Sequence, residues 1–210
     1  MTTPAAAHLE IEVKVRVTDL APLRAALAAL AAAPEQPRML EVNLRFDTTE
    51  GTLTQRGEIL RLRRSRDVRL THKRPAQPAG KLLGRPEVEV VVEDFEATRE
   101  VLERLGFVVV VRYEKYRAVY GLGTVQVALD ELPFGAFVEL EGPSAQALEH
   151  AAHELGLPWS QVFQGSYLSI FGWLREHRGL TARNLTFAEF AGIELADLGL
   201  PQSAAEIAHR

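Results

Sequence analysis

The tightest constraint in this sequence is a two-residue alternation in which one face of each predicted strand is apolar and the other is almost entirely charged. Leu9, Ile11, Val13, Val15 and Val17 alternate with Glu10, Glu12, Lys14 and Arg16, the period of a β-strand. The same period returns at Val42, Leu44 and Phe46, with Asn43, Arg45 and Asp47 between and after them. It returns again at Leu60 and Leu62 with Arg61 and Arg63, and at Val68 and Leu70 with Arg69, Thr71 and Lys73. Later strands are predicted at Val88 to Val92 beside Glu87 and Glu89, at Val108 to Tyr120 carrying Lys115 and Arg117, and at Thr124 to Asp130. A last one, Ala136 to Glu141, carries Glu139 and Glu141.

Helical spacing interrupts the strands. Leu20, Leu23, Leu27 and Leu30 follow Thr18 or Asp19 as N-cap and stop at Pro34. Phe95, Val101, Leu102 and Leu105 stop at Gly106, and Leu148, Ala151, Ala152 and Leu155 stop at Gly156. Two further helices are expected over Ser166 to Glu176 and Thr186 to Leu198, and a loop over Pro75 to Gly84. Many strands with a few helices give an α+β fold. Residues 1–177 read as one domain and 178–210 as a C-terminal helical extension.

Composition narrows the function classes. With no cysteine there is no disulfide, thiolate ligand or cysteine nucleophile. A net charge of -4 argues against a nucleic-acid binder. No long apolar run and no signal-like N-terminus is visible, so no membrane partner is expected and a cytoplasmic location is.

Residues two apart on a strand share a face. If the charged faces all turn inward, a closed sheet encloses carboxylates beside arginines and lysines. Packed carboxylates call for a hard divalent cation, and packed cations suit phosphate oxygens. The same pattern also fits an ordinary sheet whose charged face is solvated and laced with cross-strand ion pairs. His72 alternates with Thr71 and Lys73, so it is expected on the apolar side and outside any site.

Glu10-x-Glu12-x-Lys14 at the start of the first strand is followed in order by Phe46-Asp47-Thr48, Leu60-Arg61-Leu62-Arg63 and Thr71-x-Lys73. Glu87-x-Glu89, Lys115-x-Arg117, Asp130 and Glu139-Leu140-Glu141 complete the series. The ordered set resembles the CYTH superfamily, the triphosphate tunnel metalloenzymes, which include class IV adenylyl cyclases, thiamine triphosphatases and inorganic triphosphatases. The resemblance runs from about residue 8 to about 171. It implies a closed antiparallel eight-stranded β-barrel, the triphosphate tunnel, with flanking helices.

It further implies Glu10, Glu12, Asp130, Glu139 and Glu141 as ligands of Mg²⁺ or Mn²⁺. Lys14, Arg61, Arg63, Lys73, Lys115 and Arg117 are implied as contacts to the triphosphate, and Glu87 and Glu89 as supporting acids. Glu10, Glu12, Asp130 and Lys115 form the implied catalytic set, and Ser166-Tyr167 is similar to a segment near one tunnel mouth. The implied substrate is inorganic triphosphate, a nucleoside triphosphate or thiamine triphosphate, for whose ring Tyr167, Phe171 and Trp173 are candidate surfaces. A homodimer is a further partner the resemblance suggests. Hydrolysis is the expected reaction, with cyclisation of ATP and non-catalytic sensing of nucleotide or polyphosphate as alternatives.

Overall fold

The structure is a computed structural model and describes residues 8–193. Ten antiparallel strands form the sheet: β1 (His8–Glu10), β2 (Glu12–Val17), β3 (Ala33–Asp47), β4 (Ile59–Arg64), β5 (Val68–Lys73), β6 (Gln77–Ala79), β7 (Leu82–Val92), β8 (Val108–Leu122), β9 (Val125–Leu132) and β10 (Gly135–Glu141). The helices are α1 (Ala21–Ala29), α2 (Thr52–Gln55), α3 (Phe95–Arg104), α4 (Ala145–Glu154) and α5 (Tyr167–Arg178). Among the described residues no helix is long and apolar enough to cross a membrane.

The strand order is β1-β7-β5-β4-β3-β8-β9-β10-β2, with β6 paired only to β7. Its two ends are neighbours in the chain, separated by Ile11 alone. The segment 8–17 thus pairs its first half with β7 and its second half with β10, bringing the two ends together without a ladder that closes the sheet. Counted as one strand, it leaves eight around the lumen, the number the resemblance implied, although the sheet is not closed by hydrogen bonds as a barrel. No ladder links β2 to β7 directly. The backbone of Phe163 instead exchanges two hydrogen bonds of 2.9 Å with Lys14. The Gln164 amide then spans the remaining gap, bonding the Leu83 N–H and C=O at 2.9 and 3.0 Å and the Glu12 carbonyl at 3.3 Å. These contacts satisfy backbone groups that an open edge would leave bare.

The alternation sends the charged face inward and the apolar face outward, where helices cover it. Ile11 just before β2, Val13 and Val15 of β2, Val127 and Leu129 of β9 and Val138 and Leu140 of β10 pack with Leu23 and Leu27 of α1 and Leu148, Ala151 and Ala152 of α4. Leu44, Phe46, Leu60 and Leu62 pack beneath Phe95 and Leu102 of α3. A third cluster fills one end of the barrel. There the inward positions become aromatic, with Tyr113 and Phe137 meeting Tyr167, Ile170, Phe171 and Leu174 of α5. Leu174 is fully buried in that plug. Leu174→Ala is expected to cost about 2–5 kcal/mol, read as a lowered urea midpoint, because the surrounding rings cannot collapse fully into the void.

Sequence expectations differ from the structure at several places, among them the unexpected short helix Thr52–Gln55 and a β3 that begins at Ala33. The stretch expected as a loop over residues 75–84 is a hairpin, β6 to β7, turning at Gly80 with φ 67°, a conformation glycine adopts without cost. The N-cap of α1 is Leu20, with no side-chain cap, although the Asp19 carboxylate accepts from the Ala21 N–H at 2.9 Å. Where a helix was expected from Thr186, residues 187–192 form turns, and the remainder of that stretch lies outside the described residues. Leu185 is the reason the chain stays on the sheet. It bridges Tyr113 in parallel and is fully buried in the α5 cluster.

Candidate functional site

The inward faces enclose a cavity of about 1080 Å³. Of the thirteen site residues named from the sequence, all but Asp130 line it. Seven of the eight ring strands contribute a charged side chain to the lining; β9 contributes Gln126. His72 faces outward, as its position in the alternation dictates, and stands 3.3 Å from the Glu58 carboxylate.

The acidic wall is built by register. On β10 and β2, Glu141 lies opposite Glu12 and Glu139 opposite Lys14. Lys14 is clasped by Glu12 and by Glu139, the latter at 3.1 Å. Burial opposes its charge, but these two carboxylates outweigh burial and raise its pKa, so it remains an ammonium. Lys73 pairs with Glu10 and, at 3.0 Å, with Glu87. Glu139 is pushed upward by burial, but Arg117, Lys14 and Lys115 prevail and hold it well below the ordinary carboxylate range.

Glu141 is the exception. It makes no ion pair among the described residues, and burial together with Glu10, Glu139 and Glu12 raises its pKa from 4.5 to about 7. That is the signature of acids gathered beyond what their lysines offset, and a hard cation bound by Glu10, Glu12, Glu139 and Glu141 fits it. Among the described residues no three Asp, Glu or His side chains are already gathered as a metal cluster. The lysine clasps on Glu10, Glu12 and Glu139 are the physical reason.

A pH effect follows from the raised value. The folded protein holds the Glu141 proton more tightly than the unfolded chain. The stability this contributes is complete below pH 4.5 and is lost as pH rises through about 7. In chelator, wild type is expected to lose on the order of 2 kcal/mol relative to Glu141→Gln between pH 5 and 8, measured by urea unfolding. Parallel profiles for the two proteins would contradict the crowding.

The basic wall depends on buried acids behind it. Asp130 is fully buried and accepts from Arg117 at 2.7 and 2.5 Å, from Lys115 at 3.2 Å and from the Tyr167 hydroxyl at 2.8 Å. Burial and the Asp130 charge raise the Tyr167 pKa well above its usual value, so its phenol stays a donor. Arg117 also reaches Glu139 at 2.8 Å. Glu89 gathers Arg63 at 3.3 Å, Arg61 at 3.7 Å and Arg69 at 2.7 Å, and accepts from Thr71 at 2.8 Å.

Sequence reasoning missed Glu41. It is 2% exposed and stands 3.6 Å from Lys115 and 3.9 Å from Arg63. Burial works against its charge, yet Lys115, Arg117, Arg63 and Arg61 bring its pKa down to about 2. Extending the β3 alternation two residues back from Asn43 would have found it. Gln164, the clasp between β2 and β7, carried no signal in the sequence. Ser166 caps α5 by accepting from the Ser169 N–H at 3.0 Å. Of the three candidate ring surfaces, Tyr167 lines the cavity under its hydroxyl bond, while Phe171 is buried in the plug and Trp173 stacks on His177 at 4.7 Å.

Comparison with known proteins agrees with this geometry. The family model described as the CYTH domain matches residues 8–165. A curated protein of Methanocaldococcus jannaschii, provisionally named an adenylate cyclase, is 28% identical over 136 residues, covering 63% of this chain and 76% of its own. A Vibrio parahaemolyticus structure, also provisionally named an adenylate cyclase, superposes with a TM-score of 0.70 at 21% identity, covering 79% of this chain and 99% of its own. A Hippeastrum structure superposes with a TM-score of 0.59 at 22% identity over 79% of this chain and 95% of its own. It is provisionally named an adenylyl cyclase and described as revealing a dominant triphosphatase activity. At these identities the two structures share the fold with this chain.

Proposed function

The chain belongs to the CYTH domain family, and from that membership we propose that it is a divalent-metal-dependent phosphohydrolase. Its substrate is inorganic triphosphate or a small organic triphosphate held in the lumen. One observation carries this reading: buried cations that stay charged (Lys14, Arg61 and Arg117) share a single cavity with a crowded acidic wall. A phosphate binder alone needs the cations. The added carboxylates make sense when the guest brings a metal with it.

Each wall has its own task. Lys14, Lys73, Lys115, Arg61, Arg63 and Arg117 hold the phosphate oxygens and offset the charge that grows on them as the terminal bridge breaks. Because Asp130, Glu41 and Glu89 already fix several of these cations, little reorganisation is needed when substrate arrives. Glu10, Glu12, Glu139 and Glu141 are the residues that would hold Mg²⁺ or Mn²⁺, with Glu87 supporting through Lys73. Bound there, the cation supplies charge neutralisation for the polyphosphate. Asp130 stands behind this arrangement as the anchor of Lys115 and Arg117, since both its oxygens are already engaged.

Cyclisation of ATP is the second reading, favoured by the name of the Methanocaldococcus jannaschii relative. It needs a ribose hydroxyl at the α-phosphorus and a seat for the base. Two of the three aromatic candidates are committed to packing, which favours hydrolysis. A panel of inorganic triphosphate, thiamine triphosphate, ATP and GTP with Mg²⁺, Mn²⁺ or chelator separates the readings. Orthophosphate from inorganic triphosphate, lost in chelator, is the expected result. Pyrophosphate with cyclic AMP from ATP would install the cyclase instead, and silence throughout would favour a sensor.

A further inference from the structure

One part of the lumen carries more positive charge than its acids offset, since Arg61 shares the Glu89 carboxylate, 3.7 Å away, with Arg63 and Arg69. Arg45 on β3 and Arg61 on β4 are register partners, two like charges directly opposite each other on the inward face. Such a pair destabilises a sheet unless something else compensates it. Arg45 makes no ion pair among the described residues, and the buried Nε atoms of Arg45 and Arg61 have no hydrogen-bond partner. The nearby Asp47 cannot serve Arg45 well. Its oxygens accept from the N–H groups of Thr48, Leu53 and Thr54 and from the Thr54 hydroxyl.

Arg85 completes the group from β7. Its Nη1 donates to the carbonyls of Gly57 and Arg74, both at 3.2 Å, which pins it at the rim beside β4 and β5. Its register partner Glu10 is taken by Lys73. Arg45 and Arg85 both line the cavity. Burial, with Arg85 and Arg61 nearby, outweighs Tyr113 and Asp47 and lowers the Arg45 pKa, as expected of cations crowded without an anion.

We propose that Arg45 and Arg85, beside Arg61, form an anion subsite that continues the phosphate track past the triphosphate and takes a further phosphoryl group. The inference rests on the triphosphate reading of the same lumen. The ligand class it selects is linear inorganic polyphosphate of four or more units, in preference to a triphosphate whose far end is a neutral base. Guanidinium groups suit that ligand because each offers a planar fork to phosphate oxygens.

The test is equilibrium titration of the full chain in chelator, where binding is read without turnover, using inorganic tripolyphosphate, tetrapolyphosphate and ATP. Wild type is expected to bind tetrapolyphosphate about tenfold more tightly than tripolyphosphate. Arg45→Gln and Arg85→Gln are expected to bring that ratio close to one while moving tripolyphosphate affinity by no more than about twofold. Arg45→Lys should restore part of the preference. Equal affinities in wild type, equal losses for both polyphosphates in the variants, or a selective loss of ATP would overturn the subsite. Tight tripolyphosphate binding without hydrolysis in a separate assay would sink the enzymatic reading and leave the subsite result valid. No binding of either polyphosphate would overturn both.

Discussion

Glu12→Gln is expected to abolish metal-dependent release of phosphate, by at least about a thousandfold, while leaving the protein folded. Glu12 lies at the lumen with its side chain 30% accessible, so the isosteric amide introduces no void and little strain. What it removes is one charge from the wall it forms with Glu10, Glu139 and Glu141, and one partner of Lys14. The check is a rate assay with Mg²⁺ and Mn²⁺ beside a thermal melt of the same preparation. An unchanged rate would remove Glu12 from the site, and a melt lowered by more than a few degrees would make the rate uninterpretable as chemistry.

Asp130→Ala is expected to fail in the opposite way. Asp130 has no solvent exposure and offsets Arg117 and Lys115 while accepting from Tyr167. Removing one member of a buried charged network strands the others, at a cost of roughly 3–5 kcal/mol. The expected readout is a large fall in urea midpoint together with loss of activity. Asp130→Asn keeps the volume but loses the charge and turns an amide NH2 towards donors, so it should recover only part of the stability and little of the activity. An Asp130→Ala protein as stable as wild type, yet inactive, would instead place Asp130 in direct contact with metal or substrate.

The pair of variants also shows what the sequence could and could not reveal. Alternation is read directly from the residues, and it placed Glu10, Lys73 and Arg117 on inward faces because side-chain direction on a strand depends only on parity. Whether those faces looked into a lumen or into water depended on how the sheet closes. Closure depends on contacts that leave no local pattern: the break at Ile11, the Phe163 bridge to Lys14 and the Gln164 amide across to Leu83. The ordered motifs settled that question through the resemblance; periodicity alone left it open.

Roles within the site were less legible than membership in it. Asp130 shares parity with its neighbours, but its role follows from β8 setting Arg117 and Lys115 beside it and α5 adding the Tyr167 hydroxyl. Glu41 carried the right parity and lay outside every motif. Its importance comes from Lys115 and Arg63 converging on it from both sides. The turns over residues 187–192 differ from the helix expected there because Leu185 is captured by β8, and such a tertiary contact overrides local spacing.

The central claim is that the charged lumen holds a polyphosphate and its metal together. Anomalous diffraction from crystals grown with Mn²⁺ and a non-hydrolysable triphosphate analogue tests it most directly. The account predicts a manganese peak against Glu10, Glu12, Glu139 and Glu141, with phosphorus density on Lys14, Lys73, Lys115 and Arg117. Manganese and phosphate bound outside the barrel, with the lumen holding neither, would contradict it.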